Sequence, residues 1–491
     1  MKRKTICLYW LLATLLSCSG PVKIDRTADR MPDIFPDYAG VTVPPNIAPL
    51  NFALKGRPSE ARALFSFGGE TFEVRGGKEG FVIPPSRWHR LLEAAAGDSV
   101  RVTVRAKEKG GWVEYRPFAV WVAPEKVDAY LAYRLIDPGY ELWNKMGIYQ
   151  RNLESYEQSP ILENKMSGNN CMNCHSFCMQ DPEKMLFHTR EKFPGTILVD
   201  EGKIEKLNTQ TKETISSLVY PSWHPSGKYV AFSVNTTKQA FHLNDKNRIE
   251  VYDEASDVVV YDVERHEIVT SPLLFSKDAF ETFPTFSPDG KTLYFCTAEA
   301  RPIPQEYSDI RYNLCSVSFD PSTRTFGSRV DTLYHAGEGG MSASFPRVSP
   351  DGRYLLYTLS GYGNFSIWHK DADLYLTDLS TGASRPLTEV NSNDVESYHS
   401  WSSNSRWFVF SSRRIDGLYT RPYIAYIGED GTVGKPFLLP QKEVDFYHAF
   451  MKSYNIPEFV KGKVKVRGRQ LAVRVRDDKG TQVQFADVPI K

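Results

Sequence analysis

Reactive side chains concentrate in one stretch, Gly168 to Cys178, which reads Gly-Asn-Asn-Cys-Met-Asn-Cys-His-Ser-Phe-Cys. Cys171 and Cys174 have two residues between them and His175 follows at once. In that spacing a short helical turn presents two thiols to the vinyl groups of a haem and an imidazole to its iron. A Cys-x-x-Cys pair also suits a disulfide or a redox dithiol, and Cys171, Cys174, His175 and Cys178 together make a conceivable zinc set. No second Cys/His pair at knuckle spacing occurs in the chain, although a structural zinc site normally closes with one. A thioredoxin-type dithiol belongs at a helix start after a strand, whereas an Asn- and Gly-rich loop precedes this one. Haem c on Cys171, Cys174 and His175 is the leading reading. For the second iron ligand the candidates are His188, on a predicted strand, and His242, ahead of Met179, which is too close in sequence to reach the opposite face. Each is equally an ordinary strand or loop side chain, and a five-coordinate iron would suit ligand sensing.

The amino terminus bears on the same chemistry. Lys2, Arg3 and Lys4 precede an apolar run, Ile6 to Leu16, that is too short to span a bilayer, and Leu15-Leu16-Ser17-Cys18 closes it. This resembles a bacterial lipoprotein signal, which implies removal of residues 1–17 and lipidation of Cys18. No later run reaches the roughly 18 apolar residues of a spanning helix, so the expected membrane attachment is through the acyl chains on Cys18. Export suits covalent haem, which is attached outside the cytoplasm, where thiols otherwise oxidise. No acidic cluster follows Cys18, and the expected location is the periplasmic side of the outer membrane.

The elements that position this motif read as β throughout. An aromatic content of 13% with 31 Pro and 33 Gly in 491 residues suits many short strands and turns. The formal charge of +1 turns slightly negative once Lys2, Arg3 and Lys4 are removed, which argues against nucleic acid as a partner. Residues 18–43 read as a polar tether. Over 44–124, segments such as Ala63-Leu64-Phe65-Ser66-Phe67 and Ser99-Val100-Arg101-Val102-Thr103-Val104 alternate, with a short helix at Ser86 to Ala95, predicting a sandwich of the immunoglobulin-like type. Residues 125–180 lack a clean period and read as a connecting arm that carries the haem motif; its Met146 and Met166 are gap-filling core or iron ligands.

A repeat occupies 181–491. Tyr220-Pro221-Ser222-Trp223-His224-Pro225-Ser226-Gly227 recurs from Phe283 to Gly290 and from Phe345 to Gly352, each copy running into an alternating strand. Pro at the second and Gly at the fourth position of Ser-Pro-Asp-Gly suit a type I turn between antiparallel strands, which explains the Asp better than catalysis does. A degenerate fourth copy starts at Tyr398 and lacks both the Pro and the Gly. Companion strands recur at Asp257 to Val263, Asn313 to Phe319 and Asp373 to Leu379, as in propeller blades. Copies start 63, 62 and 53 residues apart, longer than the roughly 40–45 of a common blade. The insertions 234–256 and 298–311 therefore emerge on one face.

The lipobox, Asn-Cys-Met-Asn-Cys-His-Ser-Phe, Met185-Leu186-Phe187-His188, these repeats and Ile456-Pro457-Glu458-Phe459 together resemble TolB-like lipoproteins of Bacteroidetes that carry a cytochrome c type motif. The resemblance implies a six-bladed propeller, with four blades visible, a fifth from Met185 to Leu207 and a sixth assembled from the chain ends. The function expected is electron transfer or redox or gas sensing, with the propeller docking an envelope or redox protein. The alternative is an interaction scaffold whose cysteine cluster holds no haem. Without a Gly-x-Ser-x-Gly elbow or a hydrolase domain, catalysis is not expected. Cys296 and Cys315 fall on consecutive strands and suit a cross-strand pair or disulfide, and Lys461 to Arg476 reads as a hairpin with a basic face that suits solvent or lipid headgroups.

Overall fold

Alternating apolar and polar residues make strands the dominant element. The computed structural model, which describes residues 22–137 and 145–487, arranges them as a sheet-and-helix unit followed by a six-bladed propeller. The expected leader and Cys18 lie outside the described residues. Among the described residues no helix is long and apolar enough to cross a membrane.

In the first unit, Ala61, Ala63 and Phe65 of one strand and Val100, Val102 and Val104 of its neighbour are buried while the residues between them are not. The resulting apolar face packs on Trp88, Leu91 and Leu92 of the helix Pro85–Ala94. The strands of the expected immunoglobulin-like sandwich are present, but eight of them hydrogen-bond into one sheet, and this helix stands where a second sheet would. The cause is the long strand Ser99–Glu108. It pairs with Ala61–Phe67 on one edge and with both Gly111–Tyr115 and Phe118–Val122 on the other. Arg26–Ala28 and Thr42–Val43 join the same sheet in parallel, so these parts of the expected tether belong to the unit.

The expected connecting arm is propeller. Tyr130–Ile136, Gly147–Asn152 and Gln158–Glu163 are the three outer strands of blade 1, and its inner strand, Ser453–Val460, comes from the far end of the chain. The cysteine-rich segment supplies Met172–Phe177, the inner strand of blade 2, followed outward by Lys184–Thr189, Gly195–Asp200 and Lys203–Asn208. Blades 3 to 6 begin with the inner strands Leu218–Trp223, Ala279–Phe286, Ser342–Val348 and Glu396–Trp401. The six close in a ring, blade 6 packing on the Ser453–Val460 strand of blade 1. The sheet-and-helix unit shares one apolar core with blade 6, through residues such as Tyr38, Phe52, Phe408 and Phe437.

The repeated turns behave as read. Gly290 and Gly352 have φ of 72° and 76°, and their N–H groups donate to Ser287 and Ser349. The carboxylates of Asp289 and Asp351 accept from the backbone N–H two residues on. In the degenerate copy Asn404 does the same, and Ser405 takes the left-handed conformation at φ 62°. After blade 1 closes, residues 461–476 form an extended run and the helix Gly468–Val475 instead of a hairpin. Leu471, Ala472 and Val475 have helical spacing and are buried with Met172, Phe187 and Ile197 between blades 1 and 2. A strap follows the helix, Thr481–Gln482 and Gln484–Phe485 adding in parallel to the outer edges of blades 2 and 3.

Candidate functional site

Each inner strand carries one residue with φ between 49° and 52°: Cys174, Tyr220, Phe283, Phe345, Tyr398 and Ile456. At the same point the register with the second strand of each blade slips, a β-bulge that re-aims the side chain. The four aromatic members meet at the propeller axis. Phe283 stacks on Phe345 at 3.9 Å between ring centroids, and Tyr220 and Tyr398 lie edge-on at 4.9 Å from Phe283 and Phe345 respectively. They plug the axis.

Cys174-His175-Ser176-Phe177 is thereby the blade 2 copy of a six-fold pattern: a left-handed residue, then Pro or His, then a polar residue, then an aromatic or Val. Beyond the plug the side chains of Ser176, Ser222, Thr285, Arg347, Ser400 and Glu458 line a cavity of about 160 Å³ on the axis, beside His175 and His399. Two of its groups are charge-bearing. Glu458 accepts from Phe177 N–H at 3.0 Å, and burial pushes its carboxyl up to about 8. Arg347 donates to the carbonyl of Pro346 at 2.9 Å and forms no ion pair among the described residues; burial lowers its pKa, opposed by Glu458. His175 and His399 are held neutral, each pushed down to about 3, mainly by burial. His399 Nε2 bonds the carbonyl of Leu356 at 3.0 Å, while neither ring nitrogen of His175 completes a hydrogen bond despite the nearby Ile456 backbone.

The predicted haem set is distributed differently from a helical attachment turn. Cys171 packs on the apolar layer between blades 1 and 2, Cys174 sits at the axis against the Tyr220 backbone, and His175 lies over Ile456. A bulged strand sends successive side chains apart where a helical turn would gather them. The adjoining 160 Å³ is the scale of a single benzene-sized guest, not a tetrapyrrole. In this arrangement the residues do not fit a covalently held haem, and both thiols are kept protonated by burial.

The other predicted ligands are elsewhere. His188 is buried in the second strand of blade 2, with Nδ1 3.4 Å from Thr196 Oγ1. His242 stands near the tip of the long blade 3 hairpin, its N–H bonded to the Arg248 carbonyl. Met146 accepts from Met172 N–H at 3.3 Å in the core. Among the described residues no three His, Cys, Asp or Glu side chains gather as a metal site. Cys296 and Cys315 are free thiols, because the register sets Cys296 opposite Leu314 and Cys315 opposite Phe295, on opposite faces of the blade. The insertions do share a face, Tyr252 stacking on Tyr307 at 5.5 Å.

Arg347 and Glu458 were not among the candidate site residues read from sequence, although Glu458 stood in the quoted Ile456-Pro457-Glu458-Phe459. Their signal lay in the repeat: the polar position after the Pro or His is Ser or Thr in four copies, and Arg or Glu in two.

No family model matches the chain, and no curated protein does. Among solved structures, the tricorn protease is similar at 12% identity over 70% of this chain and 34% of its own, with a TM-score of 0.34. A puromycin-hydrolyzing peptidase of Mycobacterium tuberculosis is similar at 13% over 82% and 57%, TM-score 0.36. Prolyl oligopeptidase B from Galerina marginata is similar at 11% over 61% and 43%, TM-score 0.34. The chain thus spans between a third and three fifths of the length of these proteins. The comparisons contain nothing on a lipoprotein or a haem. They do overturn one expectation: several similar propellers belong to peptidases, so the lack of a nucleophile elbow is no ground for setting catalysis aside. At these identities and scores the likeness reaches the propeller and stops there.

Proposed function

We propose that the propeller is a binding module whose axial cavity takes a carboxylate-bearing ligand on Arg347. The observation that carries this reading is geometric: Arg347 lines the axial cavity, donates to the carbonyl of its neighbour Pro346, and forms no ion pair among the described residues. Burial raises the Glu458 carboxyl to about 8 and lowers both histidines to about 3, which favours their uncharged forms at neutral pH and leaves the half-buried Arg347 guanidinium as the cation of the cavity. A half-buried guanidinium that faces a cavity is shaped for a carboxylate. Rings of Tyr220, Phe345 and Tyr398 wall the space, so a ring-sized acid fits its volume. This is a specific form of the interaction-scaffold alternative.

The test is titration calorimetry with benzoate, using benzamide as the neutral control. Benzoate should bind and benzamide should not, with Arg347→Gln weakening benzoate about 10- to 100-fold, as expected for a charge-assisted hydrogen bond. Raising the pH through about 8 ionises Glu458, which then neutralises Arg347 and expels the ligand. Affinity should therefore fall above that pH in the parent and persist in Glu458→Gln. Equal binding of benzamide, or indifference to Arg347→Gln, sinks the reading.

A further inference from the structure

The segment 461–476 holds seven basic residues and no acidic one in a chain whose formal charge is +1, so the remainder is net negative. All seven are exposed. Lys463, Lys465 and Arg474 pair with Glu157, Glu183 and Asp477 at 3.3, 3.4 and 2.9 Å. Lys461, Arg467, Arg469 and Arg476 form no ion pair among the described residues. The inward side of the helix Gly468–Val475 is committed to the core between blades 1 and 2. Its outward side presents Arg469, Val473 and Arg474, which with Arg467 line a shallow groove against Gly202 and Ile204. Val473 is 57% exposed amid these guanidiniums.

We propose that this face lies on an anionic bilayer, with the basic side chains on headgroup phosphates and Val473 reaching between them. A soluble phosphate would need donors converging on one point. Here the cations are spread along an extended run and a helix, and an apolar side chain stands between them, which suits a plane of headgroups. The inference is independent of the axial cavity.

The test is vesicle sedimentation of the chain beginning at Ser19, which keeps every described residue and removes the apolar leader and Cys18. Vesicles containing phosphatidylglycerol should carry the protein down and pure phosphatidylcholine should not, with binding lost at high salt. Lys461→Glu/Arg469→Glu should weaken it about ten-fold or more, and Val473→Ser should weaken it less. Thermal melting confirms that the variants fold; if the double reversal does not, Lys461→Gln/Arg469→Gln replaces it. Binding to heparin but not to vesicles would overturn the bilayer in favour of a soluble polyanion. Absence of vesicle binding, or binding untouched by folded variants, would overturn the proposal outright.

Discussion

A non-glycine residue in the left-handed region costs of order 1–2 kcal/mol, and this propeller accepts that cost once per inner strand, even at β-branched Ile456. The return is a side chain turned inward at the axis. The residue after it is Pro in four blades and His in two, His175 and His399. Proline has no N–H to leave unpaired at a bulge, so His175 occupies a site whose backbone geometry Pro satisfies elsewhere in the molecule. His175→Pro should fold, and should stabilise by about 0.5 kcal/mol through the unfolded chain, read as an unchanged or raised midpoint in thermal melting. A collapse of the midpoint would mean that the blade 2 strand departs from the other five. The same comparison places Cys-x-x-Cys-His within the repeat. Two residue patterns, an attachment motif and a blade repeat, overlap on Cys174 and His175, and only the repeat names Ser176 and Phe177 as well.

At the scale of elements, the inner strands matter through what they bring together. Phe283 is 1% exposed and lies in the centre of the plug, stacked on Phe345 and edge-on to Tyr220 and Phe365. Phe283→Ala should cost about 3–5 kcal/mol and open the floor of the cavity toward the opposite face, seen as a lower denaturation midpoint in urea. A loss below about 1 kcal/mol would show that neighbouring rings collapse into the space. The opposite face has its own support. Asp253, in the long blade 3 hairpin, accepts from Asn235, Thr237 and Asn364, and Glu250 accepts from His369 and Tyr362, tying that hairpin to blade 5. Burial raises the Asp253 carboxyl to about 6 against these three bonds.

For the whole molecule the decisive contacts are between chain ends. Blade 1 is completed by Ser453–Val460, and the terminal strap then covers the edges of blades 2 and 3. Val483 of the strap is 1% exposed in the apolar layer of blades 2 and 3, with its N–H on Asn208, and Ala486 N–H reaches Ile268. A chain stopped after Lys479 should lose about 2–3 kcal/mol, the burial of one Val side chain together with edge hydrogen bonds. It should be cleaved sooner by protease in blades 2 and 3 than elsewhere. An unchanged melting midpoint would show that the strap merely rests on those edges.

By itself the sequence determined the repeat unit, because Ser-Pro-Asp-Gly turns and alternating strands are local: the Gly φ values, the Asp hydrogen bonds and the companion strands all depend on neighbours within a few residues. The resemblance drawn from it implied a ring closed through the chain ends, and the pairing of Ser453–Val460 with Tyr130–Ile136 closes it so. The tertiary structure decided what the chemistry-bearing residues are for. The path that brings Glu458 beside Ser176 and Arg347 spans the entire ring, and no spacing along the chain encodes it. It also turned the aromatic-rich 125–180 segment into blade strands, because Tyr130–Ile136 finds its partner more than three hundred residues away. The helix Gly468–Val475 was settled there too: its Leu and Val residues fit a strand or a helix equally until the gap between blades 1 and 2 selects the helix.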